Sequence, residues 1–161
     1  MATWDLEETF CHFLICNGGS CMRRQAEEVT QAIRDEIALL GADRQIHTTR
    51  TRCNGRCADA CVVIVYPEGV WYKDVTLGVG RELVRRHAAG HRLEERIVYR
   101  FEQRFVATGL SVAGQEKQSV TAIHGKGGST QDESRSDSDI VRVPGKRENN
   151  PSDPNAERLF E

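Results

Sequence analysis

No stretch of this chain approaches the ~20 consecutive apolar residues needed to span a bilayer as a helix. The opening segment "MATWDLEETFCHFLIC" carries no basic segment, and His12 interrupts its short apolar run, so a secretory signal is not expected. Neither sign of charge dominates. Lys and Arg number 22 against 24 Asp and Glu, giving a formal net charge of −2, which offers no general footing for nucleic acid or an anionic membrane surface. There is no C-x-x-C dithiol, no glycine motif of the nucleotide-binding kind and no recognisable triad, so neither a thiol-redox role nor catalysis by the chain alone is expected. These absences point to a cytoplasmic protein, where structural disulfides are rare. Six cysteines in that setting are more often ligands or redox groups than crosslinks.

Composition changes near Ala107. Residues 108–161 hold no cysteine and one aromatic, Phe160, among polar clusters such as "HGKGGSTQDESRSDSD". So little apolar surface cannot offset the entropy of ordering the chain, and a disordered tail is expected there. The segment "DIVRVPG" (139–145) is the one place in it with a partner-motif character.

Residues 1–107 carry readable periods and form the expected domain. "CHFLIC" (11–16) reads as a strand, and Ala26, Val29, Ile33, Ile37 and Leu40 give residues 22–40 a helical apolar stripe ending at Gly41. "QIHTTR" (45–50) reads as a second strand. "VVIVY" (62–66) is a β-branched run of the kind buried on both faces. Tyr66-Pro67-Glu68-Gly69 suits a type I turn into "VWYKDV", and Thr76 can cap a closing helix. The expected order is β-α-β-β-β-α, a mixed four-stranded sheet with two helices; "RIVYRF" (96–101) adds a short strand or a helical turn.

Two cysteine pairs leave strands in glycine-containing loops: Cys16 and Cys21 in "ICNGGSC", Cys53 and Cys57 in "RCNGRC". A right-handed β-α-β connection brings the two loops to one end of the domain, where four thiolates can converge. Such a set suits zinc or an iron–sulfur cluster. Structural zinc favours the tighter C-x2-C knuckle, whereas gaps of four and three residues suit a larger object held by two pairs. Arg23, Arg24, Arg50, Arg52 and Arg56 flank these loops, and a helix starting just after Cys21 would point its positive end at the site; both favour an anionic cluster. His12 and His47 read as packing or surface residues, and His87 and His91 as cations suited to a helix C-terminus. Trp71 and Tyr72 suit either the core or a subunit contact.

"CNGGSC…TRTRCNGRCADACVVIVYPEGVWYKDVT" resembles the thioredoxin-like [2Fe-2S] ferredoxins over roughly residues 10–100. Within that family it is most similar to small stand-alone bacterial ferredoxins, some encoded near cobalamin-synthesis genes. The resemblance implies a thioredoxin-like α/β fold and a [2Fe-2S] cofactor with Cys16, Cys21, Cys53 and Cys57 as metal ligands. It also implies a one-electron carrier with redox partner proteins, a reductase or an acceptor enzyme, and a homodimer as the assembly. Cys61 departs from the family pattern and is expected, like Cys11, to pack as a small buried residue. Two other functions fit the same residues: a small iron–sulfur subunit of a larger oxidoreductase, and a zinc-stabilised interaction module.

Overall fold

The computed structural model describes residues 2–117, so most of the expected tail, with the 139–145 segment, lies outside the described residues. Residues 1–116 form one compact unit. Its strands are β1 (Cys11–Cys16), β2 (Ile46–Thr51), β3 (Val63–Tyr66), β4 (Val70–Tyr72), β5 (Ile97–Glu102) and β6 (Arg104–Ala107). The helices are α1 (Gly19–Met22), α2 (Ala26–Leu39) and α3 (Leu77–Ala88), with short 3-10 turns at Cys57–Asp59 and Glu94–Arg96. The six strands form one sheet in the order β2-β1-β3-β4-β5-β6. β1 and β2 run parallel, as a β-α-β crossover requires, and the remaining neighbours are antiparallel.

Alternation of burial defines two sheet faces. Phe13 and Ile15 of β1, Val63 and Val65 of β3, Val70 and Tyr72 of β4 and Ile97 of β5 join Val29, Ile33, Leu83 and Val84 of the helices in one core. Helices α2 and α3 meet where Gly80 faces Ile33; a Cβ there would stand 3.0 Å from Ile33 Cγ1, so any side chain would force Ile33 aside. Across the same contact Glu36 of α2, 1% exposed, accepts from Arg85 Nε (2.7 Å) and Arg81 Nη1 (3.4 Å) of α3. Thr76 caps α3 as expected, its Oγ1 accepting from Val79 N at 3.4 Å. Gly41 ends α2 with φ +63°.

The sheet has six strands, not four. "RIVYRF" continues through Gln103 into β6, and this reversal was invisible because Gln103 adopts φ +63° with no glycine or asparagine to signal it. The expected 22–40 helix is broken for the same reason: Gln25, at φ +61°, separates α2 from the four-residue α1. The run 62–66 is not buried on both faces. Val63 and Val65 are fully buried, but Ile64 is half-buried and Tyr66 is 62% exposed. Gly69, at φ +64°, closes the β3–β4 hairpin under Phe101, whose Cβ would be 2.5 Å from a side-chain carbon at this position. Residues 108–112 stay in contact with the sheet. Thr108 donates from N to the Val98 carbonyl (2.9 Å) and from Oγ1 to the Ile97 carbonyl (2.5 Å).

Candidate metal centre

Cys16 is the last residue of β1, paired in register with Thr51 at the end of β2, so the two strands deliver their loops side by side. Asn17 N donates to the Thr51 carbonyl (2.8 Å) and Cys16 Sγ to the Arg52 carbonyl (3.5 Å), which joins the loops at their roots. Further out they touch through Gly18. A Cβ on Gly18 would lie 2.8 Å from both Cα and Cβ of Cys53, a separation that no side chain can occupy. Cys21 then turns back from α1, and Cys57 from the 3-10 turn, so that Cys16, Cys21, Cys53 and Cys57 line one small pocket with Gly18, Ser20 and Arg56.

The four thiols stand in two unlike pairs. Cys16 and Cys21 are buried, whereas Cys53 and Cys57 are exposed, their Sγ atoms 3.7 Å apart. Burial pushes the Cys21 thiol up to about 12, so its thiolate needs a cation for company. Cys57 is shifted the other way, chiefly by hydrogen bonds from Ser20 and Cys53, with Arg23 adding to them. Gly55 N donates to Cys53 Sγ (3.4 Å), and Asn54 Nδ2 is a buried donor without an acceptor among the described residues. Four soft donors, two from each loop, with a backbone N–H on one sulfur, suit zinc or an iron–sulfur cluster.

The flanking arginines divide into two sets. Arg24 pairs with Asp74 (3.2 Å), Arg50 with Glu27, and Arg56 with Asp59 (2.6 Å from Nε). Arg23, which donates to Ser20 Oγ (3.1 Å), and Arg52 have no carboxylate partner among the described residues. The long helix does not start at Cys21: α2 begins at Ala26 with Glu27 and Glu28 in its first turn, which offset its positive end.

The remaining candidates fall into place around this centre. Cys61 is 1% exposed and donates to the carbonyls of Cys21 (3.3 Å) and Arg24 (3.5 Å); Cys11 is buried in the core. His12 bonds Thr49 Oγ1 (2.8 Å) beside the His47 ring, away from the pocket. His87 is not a solvated cation at a helix end. It is buried against Phe13, shares a 2.9 Å hydrogen bond with the Tyr72 hydroxyl, and desolvation lowers its pKa. Tyr72 is a core residue, while Trp71 lies on the other face beside Tyr99 and Phe105. Sequence reasoning missed Gly18 as the contact between loops, Ser20 as a pocket neighbour of Cys57, and Asp59 as the buried partner of Arg56. Only the Asn-Gly-Gly run gave any sign of the first.

No family model matches the chain. It is 53% identical over 105 residues to a protein of Priestia megaterium named as a 2Fe-2S ferredoxin, a match covering 65% of this chain and 82% of that one. A second relative, the Aquifex aeolicus 2Fe-2S ferredoxin, is 38% identical over 84 residues, half of this chain and 73% of its own. The solved structure of a thioredoxin-like [2Fe-2S] ferredoxin from Aquifex aeolicus superposes with a TM-score of 0.55 at 30% identity, over 58% of this chain and 94% of that one. A neighbour at this identity carries the family as well as the fold, and the site geometry agrees with it. The chain belongs to the thioredoxin-like [2Fe-2S] ferredoxins.

Proposed function

We propose that this protein is a one-electron carrier that holds a single [2Fe-2S] cluster through Cys16, Cys21, Cys53 and Cys57. The observation that carries the reading is the convergence of these four thiols, two from each of two loops, on one pocket. When bound, the cluster supplies the redox chemistry, accepting and releasing one electron without a bond being made to a substrate. The chain's own residues do the rest. Cys16 and Cys21 seat one side of the group in the core, and Gly18 lets the loops close on it. Gly55 N donates to Cys53 Sγ and Ser20 lines the pocket beside Cys57, and both stabilise negative charge on sulfur.

Because Cys53 and Cys57 are the exposed pair, electrons enter and leave on their side. Arg23 and Arg52 border that side without carboxylate partners among the described residues, which suits a redox partner with an acidic docking surface, whether reductase or acceptor enzyme. The opposite sheet face carries Trp71, Tyr99, Phe101 and Phe105 in edge-to-face contact, with the two phenylalanines about half exposed; this is the surface for a homodimer, checked by light scattering of a Phe105→Ser variant. Among the described residues no helix is long and apolar enough to cross a membrane.

The deciding experiment is an anaerobic visible spectrum with iron, sulfide and zinc analysis, before and after dithionite. Two irons and two sulfides per chain, with absorption that bleaches on reduction, is the expected result. One zinc in a colourless protein, purified with cluster assembly intact, would overturn it in favour of a structural interaction module.

A further inference from the structure

Arg56 sits between the two exposed ligand cysteines, where a solvated side chain would be ordinary, yet its side chain is only 14% exposed. It is held from several directions. Its Nε donates to Asp59 Oδ2 at 2.6 Å, and that carboxylate is itself buried. Its guanidinium lies 5.0 Å from the centre of the Tyr99 ring of β5, a cation–π distance. Its Nη2 donates to Ser111 Oγ (3.3 Å) and to the Val112 carbonyl (2.7 Å). Gly114 passes so close that a Cβ there would come within 3.3 Å of Nη1.

The segment making these last contacts is itself anchored away from the pocket. Thr108 fixes it to β5 through Ile97 and Val98, Ser111 N returns to the Thr108 carbonyl (3.0 Å), Leu110 N to Thr108 Oγ1 (3.2 Å), and Lys73 Nζ reaches the Leu110 carbonyl (3.3 Å). A continuous path of hydrogen bonds thus runs from the start of β5, through residues 108–112, to Arg56 and the loop that carries Cys53 and Cys57. The backbone ties of that loop lie at its two ends, Asn17 N to the Thr51 carbonyl (2.8 Å) and Asp74 N to the Asp59 carbonyl (3.0 Å); between them its bonds are local, Thr51 Oγ1 to Asn54 Oδ1 (3.0 Å), Gly55 N to Cys53 Sγ (3.4 Å) and Asp59 N to the Arg56 carbonyl (3.0 Å).

We propose that residues 108–112 are a strap belonging to the metal centre, and that Arg56 is a positioning residue through which the strap fixes the exposed ligand pair Cys53 and Cys57. The proposal rests on the ligand assignment above. A rigid exposed pair matters because this side of the site faces solvent and chelators, and a loop free to swing away would let the metal group leave from there. The Arg56 fork suits this role, because five donors in a plane reach a carboxylate, a hydroxyl and a carbonyl at once, which a lysine cannot do.

The test uses the full-length protein with whatever metal it holds as purified. Hydrogen exchange of the segment spanning residues 53–59 is followed by mass spectrometry in wild type, Arg56→Lys, Thr108→Val and the double variant, with Arg85→Gln as a control that weakens the α2–α3 contact far from the loop. Arg56→Lys and Thr108→Val should each speed exchange in that segment, by about tenfold for loss of the charge-assisted fork. The double variant should be no faster than the faster single, because both break one path. Arg85→Gln should leave the segment unchanged. Unchanged exchange in Thr108→Val, or an equal rise in Arg85→Gln, would overturn the strap. Release of iron to bathophenanthroline, followed by loss of visible absorbance, should accelerate in step. If the exchange results hold but the protein contains zinc and no iron, the strap stands and the cluster assignment fails.

Discussion

Gly18 is where the two ligand loops meet, and Gly18→Ala isolates that contact. The backbone there has φ −72° and ψ 166°, an extended conformation open to any residue, so alanine introduces no backbone strain. By restricting the unfolded chain, alanine would even stabilise the fold by about 0.4–1 kcal/mol. The whole penalty therefore lies in one methyl group placed 2.8 Å from Cα and Cβ of Cys53 and 3.1 Å from its N. Carbon atoms rest at about 3.5–4.0 Å, so the loops must part by roughly 1 Å. Metal–ligand distances tolerate about 0.2 Å, so a displacement of this size cannot be absorbed by the site. Overpacking of this kind costs about 1–3 kcal/mol, which corresponds to iron loss about 5–150 times faster in a chelator challenge followed by visible absorbance. Gly19→Ala is the matched control: its Cβ would meet only Arg23 Nη1, at 3.7 Å, an ordinary contact. Thermal melting should also separate the two variants, with Gly18→Ala a few degrees lower, since the clash acts on the folded state alone. If Gly18→Ala keeps its iron as firmly as Gly19→Ala, then the loops are not held together at this point, and the geometry argued for the site is wrong.

Three further outcomes are expected. Cys57→Ser should lose the visible chromophore on purification while Cys61→Ser keeps it, because the Cys61 thiol is occupied with the Cys21 and Arg24 carbonyls, bonds a hydroxyl can repeat; equal loss in both would refute the ligand assignment. Glu36→Gln removes the charge that Arg85 and Arg81 grip and should lower stability by about 2 kcal/mol in urea denaturation. The Glu36 carboxyl is held below its ordinary range chiefly by Arg85, so its contribution is present above the usual carboxylate pKa and fades as pH falls through the lowered value. His87 is lowered by burial, so between its ordinary value and its lowered one the unfolded chain binds the extra proton; stability should fall as pH drops through and below the ordinary histidine range, and His87→Gln should flatten that slope in denaturant titrations.

Much of the candidate site was legible because its signals are local. The paired cysteines sit in glycine loops directly after apolar strands, and a parallel β1–β2 pair joined by a helix places two such loops at one end whatever the details of packing. Thr76 and Gly41 likewise announced their helix ends, because capping chemistry is read from one or two residues. The broken helix at Gln25 and the β5–β6 reversal at Gln103 were not legible, since both residues take a left-handed conformation that their side chains do not favour and only surrounding contacts can hold.

The sequence by itself therefore singled out the four cysteines proposed as ligands and the strands that carry them, since residue type and local period are properties of neighbouring residues. Only the tertiary structure decided that one of the two cysteine pairs is buried and the other exposed. It alone tied Arg56 to Asp59, Tyr99 and Val112 rather than leaving it in solvent, and drew residues beyond Ala107 into the site. Tyr99 and Val112 stand 43 and 56 positions along the chain from Arg56, and they reach it only because β5 and the segment after β6 fold back to the ligand loop. No pattern within a window of sequence encodes that meeting; the fold as a whole supplies it.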